Sequence, residues 1–188
     1  MFALIFSPLS YLRIRHESKW ITDWVYPLVF STVSVALIFA FGEKGAISGR
    51  DGLIDRLLLV SSVLPGFYIA ALAAIATFNR PDIDEFMPEP TPRLSVDIGG
   101  HGNVIRLTRR RFLSHLFAFL CWESLALMIA CVFAGIVGKE VISHFPATLA
   151  HWATIGFTFV VLLVFWQMIC ATFLGLYYLG NRLHHPTY

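Results

Sequence analysis

Four long apolar stretches separated by shorter polar segments dominate the pattern of this chain. They cover residues 24–41, 57–78, 112–137 and 155–179, and none of them contains a lysine or an arginine. An α-helix needs about 20 mostly apolar residues to cross the hydrocarbon core of a bilayer. The pattern therefore predicts an all-α integral membrane protein, a bundle of four transmembrane helices that forms a single domain over residues 1–188.

The composition agrees with lipid as the main solvent. The 188 residues are 57% hydrophobic and 14% charged, whereas soluble domains usually have about 45–50% apolar and about 25% charged residues. The net charge of +2 is too small to indicate nucleic-acid binding. We therefore expect the lipid bilayer, and no nucleic acid, among the partners of the chain.

The distribution of positive charge predicts the orientation. Residues 1–23, the loop 79–111 and the C-terminal tail together hold ten of the fourteen Lys and Arg residues, and the loops 42–56 and 138–154 hold the other four. Loops that remain in the cytoplasm carry an excess of Lys and Arg. The pattern predicts a multi-pass protein of a bacterial inner membrane with both termini and the loop 79–111 in the cytoplasm.

The N-terminal residues 2–12 are apolar but too short to span a bilayer. Basic residues follow them, which suits a segment lying in the cytoplasmic interface of the membrane. The alternative is a segment that packs on the inner end of the bundle. The sequence leaves both open.

The loop 79–111 is the only sizeable polar segment. Its first half is rich in proline, and alternating residues then flank a Gly- and Asn-rich stretch. This pattern predicts a β-hairpin, which needs further packing because a lone hairpin is marginally stable in water. We expect a cytoplasmic protein partner here. The residues that could contact it, or lipid headgroups, are Arg93, Arg106, Arg109, Arg110 and Arg111.

Glu123 is the most unusual residue because it lies near the centre of the third apolar stretch. An ionisable group at that depth is costly and is a functional-site hypothesis by default. Gln167 lies at a similar depth in the fourth stretch, so we expect a Glu123–Gln167 hydrogen bond, within one subunit or between two. Ser62 is a further polar residue inside the second stretch. Glu123 either joins helices or acts as a proton-sensitive group, since burial disfavours a charged carboxylate.

Small side chains recur every four residues and place a ridge on each of three helices. Such ridges let helices approach closely, and Glu123 and Gln167 share a face with two of them. We expect the ridges to assemble a homo-oligomer. Their residues are Gly66, Ala70, Ala74, Ala126, Ala130, Ala134, Ala171 and Gly175.

The chain gives no positive ground for catalysis or for a cofactor. It has no nucleophile–base pair, no dinucleotide fingerprint and no metal-ligand spacing. Asp82, Asp84 and Glu85 could hold a metal, but a solvated face or a salt bridge between subunits is the favoured interpretation. We expect no enzyme activity, no cofactor and no metal site.

The overall plan resembles the small four-span membrane proteins of bacterial anti-phage defence systems, such as the membrane subunit of Kiwa systems or the membrane effectors of retrons. The resemblance lies in the missing catalytic motif, the Asn79-Arg80-Pro81 exit from the second stretch and the basic hairpin loop. It implies an oligomer that senses or permeabilises the inner membrane with a cytoplasmic partner.

Three functions therefore stand as hypotheses. The first is an oligomeric sensor, effector or pore-forming subunit that acts with a cytoplasmic partner. The second is a small ion channel or proton-coupled transporter that uses Glu123. The third is a scaffold without transport activity that tethers a soluble protein to the membrane.

Overall fold

The computed structural model describes residues 5–14, 19–42, 45–49, 51–77, 83–87, 91–98 and 101–180. The Asn79-Arg80-Pro81 exit, Asp82 and the C-terminal tail lie outside the described residues. Within them the chain has four long helices and one hairpin, which confirms the predicted fold class.

The four helices are α1 (Tyr26–Phe41), α2 (Leu53–Thr77), α3 (Arg109–Ser143) and α4 (Ala147–Gly180). A π-helical turn at Ile21–Val25 extends α1, so the first apolar helix covers Ile21–Phe41. By length and composition each of the four is able to cross a membrane.

Helix α3 is longer than its apolar stretch at both ends. Thr108 caps its start, where the side-chain oxygen accepts a hydrogen bond from the Arg111 backbone N–H at 3.4 Å. At the other end α3 continues through Lys139 and Glu140, both exposed, to Ser143. Charged residues end an apolar stretch, but they do not interrupt the backbone hydrogen bonds of a helix.

The main helix contacts form a row in the order α2, α3, α4 and α1. Helix α3 packs against α2 on one side and α4 on the other, while α1 packs against α4. A short 3₁₀ helix at Ser7–Arg13 also packs against α3. As a result, α3 contributes more buried apolar residues than any other described helix, and its N-terminal half supplies Phe112, Leu116, Phe117 and Leu120.

The hairpin lies between α2 and α3 and consists of β1 (Arg93–Ile98) and β2 (His101–Arg106). The strands are antiparallel, with Arg93 directly opposite Arg106. Leu94 on β1 and Leu107 just after β2 are buried in the core. The hairpin is therefore stabilised by packing on its own chain.

Gly175 marks a close approach of α4 to α3. A Cβ atom at this position would lie 3.0 Å from Phe117 Cζ and 3.2 Å from Leu116 Cδ2. A Cβ atom at Gly156, on the same helix, would meet nothing within 4 Å. The side chains of α3 thus pack directly onto the backbone of α4 at Gly175.

We expect Gly175→Leu to lower the stability of the detergent-solubilised protein by about 1–3 kcal/mol, because overpacking a tight contact forces side chains and backbone to move. The thermal unfolding midpoint measures the loss. Gly156→Leu is the matched control and should leave the midpoint unchanged. Equal effects of the two substitutions would contradict the α3–α4 contact.

Candidate functional site

Asp23 is the centre of a buried polar cluster. It lies in the π-helical turn and only 2% of its surface is exposed. Its carboxylate forms an ion pair with Lys19 and accepts a hydrogen bond from the Tyr11 hydroxyl at 3.1 Å. Its main-chain oxygen accepts a hydrogen bond from Gln167 Nε2 at 3.0 Å. These bonds join the N-terminal segment, the start of the first apolar helix and α4.

The N-terminal segment packs along α3. The Tyr11 ring stacks on Phe119 with centroids 5.0 Å apart, and the Phe6 ring lies 6.1 Å from that of Trp122. Phe119 is ten residues into α3, about 15 Å from its start at 1.5 Å per residue. Of the two alternatives for the N-terminal residues, packing on the bundle is the one observed for residues 5–14.

Glu123 lies on the same buried face of α3, with 3% of its surface exposed. It lies within electrostatic reach of Asp23, Tyr11 and Tyr68. Among the described residues its Oε2 atom has no hydrogen-bond partner. A buried carboxyl oxygen without a donor is costly if the group is ionised.

Within one subunit the predicted Glu123–Gln167 hydrogen bond is wrong; between two subunits it stays a prediction. Gln167 is buried at the expected face of α4, but its amide donates to the main-chain oxygen of Asp23. The prediction considered only α3 and α4. The start of the first apolar helix also reaches this level of the bundle, and its Asp23 carbonyl accepts a hydrogen bond from the Gln167 amide.

Burial dominates the electrostatics of the two N-terminal members of the cluster. It raises the pKa of Tyr11 well above its ordinary value of 10.0, and the charges of Asp23 and Glu123 add to the shift. Burial also lowers the pKa of Lys19, against the opposing effect of Asp23. Tyr11 is therefore a neutral donor, and Asp23 is the group that favours a charged Lys19.

A second polar contact links α2 to α4 next to the cluster. The Tyr68 hydroxyl lies 2.7 Å from Thr172 Oγ1, and Thr172 Oγ1 itself donates to the Met168 main-chain oxygen at 2.7 Å. Because the Thr172 proton is used on Met168, Tyr68 must be the donor to Thr172. Both tyrosines near Glu123 therefore direct their protons elsewhere.

The small-residue ridges face in different directions. On α4, Ala171 and Gly175 are buried against the core, as the close-packing prediction requires. On α3, the three alanines of the ridge are half-buried. On α2, the ridge residues lie on the exposed face, opposite the buried Ser61, Pro65 and Tyr68; they are Ser62, Gly66, Ala70 and Ala74. The four-residue spacing fixes a common face but not the direction in which that face points.

Two of the five candidate arginines make contacts inside the chain. Arg110 binds the Asp84 carboxylate through Nε at 2.7 Å and Nη2 at 3.0 Å, and its Nη1 donates to the Ile75 main-chain oxygen at 2.7 Å. Arg109 is buried, with Nη2 3.8 Å from Glu85 Oε2. Arg93, Arg106 and Arg111 are exposed. These three are the members of the set that remain available to a partner or to lipid.

Asp84 and Glu85 of the same loop pair with these two arginines. The hydrogen bond from Arg110 lowers the pKa of Asp84. Asp84 and Glu85 thus form salt bridges within one chain, and the residues that the structure describes contain no group of three His, Cys, Asp or Glu side chains suited to a metal.

Sequence reasoning missed Tyr11, Lys19 and Asp23. Lys19 and Asp23 are four residues apart, which places them on one side of a helical turn, and they directly precede an apolar stretch. That spacing is the signal that could have found the pair. No family model, curated protein or solved structure matches this chain.

We expect Asp23→Asn to destabilise the protein in detergent by about 3–5 kcal/mol, because it leaves the Lys19 ammonium buried without its counter-ion. The double change Lys19→Met with Asp23→Leu removes both charges and should restore most of the loss. Thermal unfolding of the purified variants measures both effects.

Lys139→Met, at an exposed lysine of α3, is the matched control and should leave the unfolding midpoint unchanged. A double variant that is no more stable than Asp23→Asn would contradict a buried, mutually dependent pair.

Proposed function

We propose that this protein is an oligomeric sensor or effector subunit of a bacterial inner membrane that acts with a cytoplasmic protein partner. Anti-phage defence is the setting that the architectural resemblance implies. The observation that carries the proposal is the attachment of residues 83–87, which precede the hairpin, to the ends of α2 and α3 through Arg110.

Arg110 joins three parts of the chain at one point. Its guanidinium sits in the first turn of α3, binds Asp84 of the loop through two hydrogen bonds, and binds a carbonyl in the last turn of α2. Bidentate Arg–carboxylate pairs fix orientation as well as distance. Backbone hydrogen bonds from Met87 N to Leu107 O at 3.2 Å and from Arg109 N to Glu85 O at 3.0 Å strengthen the attachment. A force on the hairpin therefore acts on both helices.

The outer face of the hairpin supplies a surface for an acidic partner. Arg93 and Arg106 are directly opposite in the register and both are exposed, whereas Leu94 on the other face is buried. Like charges placed directly across a strand pair are destabilising. An acidic protein surface would relieve that repulsion, and complementary charge also speeds association.

The exposed face of α2 supports assembly into a homo-oligomer. A Cβ atom at Gly66 would meet nothing within 4 Å, and Ala70 and Ala74 continue the same exposed face. A smooth face of small residues lets a helix of a second subunit approach closely. If the protein is a pore-forming effector, its pore lies between subunits rather than within the row of four helices of one subunit.

The double charge reversal Arg93→Glu with Arg106→Glu should reduce recovery of the cytoplasmic partner at least about tenfold, because each reversed charge repels an acidic surface. Quantitative mass spectrometry of affinity-purified protein from the native host measures the loss. Lys139→Glu is the matched control and should keep full recovery. Equal recovery from both variants would contradict the hairpin as the partner site.

Native mass spectrometry in nanodiscs should give a defined homo-oligomer of the unaltered protein. Gly66→Leu should shift it towards the monomer, since a larger side chain separates closely packed helices. Gly156→Leu, at an open position on α4, should keep the oligomer. A monomeric unaltered protein would remove the oligomeric part of the proposal and favour the scaffold function.

A further inference from the structure

Among the described residues, none of the titratable groups near Glu123 donates a hydrogen bond to its Oε2 atom. The 3₁₀ helix contributes Tyr11, the start of the first apolar helix contributes Asp23 with Lys19, and α2 contributes Tyr68. On α4, Cys170 lies within electrostatic reach of Asp23, and Tyr178 lies within that of Tyr11.

The described neighbours of Glu123 donate their observed hydrogen bonds to other acceptors. The Tyr11 hydroxyl donates to Asp23, the Tyr68 hydroxyl donates to Thr172, and the Gln167 amide donates to the Asp23 main chain. The Lys19 ammonium pairs with Asp23. Among the described residues, Glu123 Oε2 is left without a partner at 3% exposure of the residue.

The net charge of the described part of the cluster also favours a protonated Glu123. Among the described residues, the cluster contains two carboxyl groups, Asp23 and Glu123, and one ammonium group, Lys19. With Glu123 ionised, the cluster would carry an uncompensated negative charge away from water, which is very costly. With one proton on Glu123 the cluster is neutral, and the hydroxyl oxygens of the two tyrosines keep lone pairs that can accept a hydrogen bond.

The N-terminal segment is the element that closes this site. Tyr11 covers Phe119, which lies one helical turn before Glu123, and Phe6 contacts Trp122, which directly precedes it. The segment is short, and its contacts with α3 are mainly aromatic. It is the smallest element whose departure would open Glu123 to water.

We propose that Glu123 is a proton-binding site. It holds one proton while the N-terminal segment is docked on α3, and it releases that proton to the solvent when the segment leaves. The O–H bond of the carboxylic acid breaks and water accepts the proton, so no other reactant is needed. This proposal stands apart from the partner of the hairpin and from the oligomeric state.

The sign of the pH dependence follows from the proton count. The docked state binds one proton more than the undocked state in the range where exposed Glu123 is ionised. A rise in pH therefore favours the undocked state, by up to about tenfold in the population ratio per pH unit. Acidification favours docking.

Infrared spectroscopy of the protein in nanodiscs tests the proton directly. At neutral pH we expect the C=O stretching band of a protonated, buried carboxyl group, and Glu123→Gln should remove it. Glu140→Gln, at an exposed carboxylate of the same helix, should retain it. Should Glu123→Gln fail to fold, Glu123→Asp should instead shift the band. If the band is the same in every Glu123 variant as in the unaltered protein, the proposal is overturned.

A thiol at Ile14, which is 4% exposed while the segment is docked, tests the coupling. Ile14→Cys is placed in a chain whose Cys121, Cys131 and Cys170 are replaced by alanine, and its reaction with a polar maleimide is followed from pH 6 to pH 9. The labelling rate should rise more steeply with pH in the Glu123 chain than with Glu123→Gln, because the intrinsic pH dependence of the thiol is common to both. If the labelling rate rises equally steeply with pH in both chains, the coupling is overturned. If the labelling rate changes when sodium is replaced with choline at fixed pH, the site binds a metal cation instead of a proton.

Discussion

A charged side chain inside a lipid-embedded bundle is stable only when an opposite charge and hydrogen bonds replace the water it has lost. In this protein the Lys19–Asp23 pair meets that constraint, with the Tyr11 hydroxyl and the Lys19–Tyr11 ring contact at 4.0 Å completing the surroundings. The requirement fixes where the N-terminal segment lies, because Tyr11 must reach Asp23. It also explains why the first apolar helix begins beside Gln167 rather than at the end of α4.

Much of the fold could be predicted from the sequence because the bilayer imposes a simple rule on length and polarity. The four apolar stretches and the hairpin of residues 93–106 follow from that rule and from turn chemistry. The burial of Glu123 follows from its place among small residues on α3. The polar neighbours of Glu123 could not be predicted, because Tyr11 and Asp23 lie about 100 residues or more away in the chain.

The direction of the α2 ridge shows a second limit of sequence reasoning. Ser62, Gly66, Ala70 and Ala74 share a face, and so do Leu57, Ser61, Pro65 and Tyr68. The second face carries the larger apolar side chains, so it is the face that packs against α3. Its Tyr68 also gains a hydrogen bond to Thr172 of α4. Periodicity identifies both faces equally well, and only the energetics of packing decides between them.

Two sites lie at different levels of the same helix. At the start of α3, Arg110 joins the segment before the hairpin to α2, and nine to twelve residues further on the N-terminal segment packs on Phe119 and Trp122. Helix α3 is continuous between them. A continuous helix with the proposed partner surface near one level and a buried polar cluster at another fits the proposed membrane subunit that acts with a cytoplasmic partner.

Cross-linking of Phe6→Cys to Trp122→Cys, in a chain without the three native cysteines and in intact membranes, tests the central claim most directly. With a short bifunctional thiol reagent and peptide mass spectrometry, we expect efficient linkage of this pair. We expect no linkage between Phe6→Cys and Phe133→Cys, because Phe133 lies about 16 Å beyond Trp122 along α3 at 1.5 Å per residue. If neither pair is linked, the result would contradict the docking of the N-terminal segment on α3. It would also contradict the role of the Lys19–Asp23 pair.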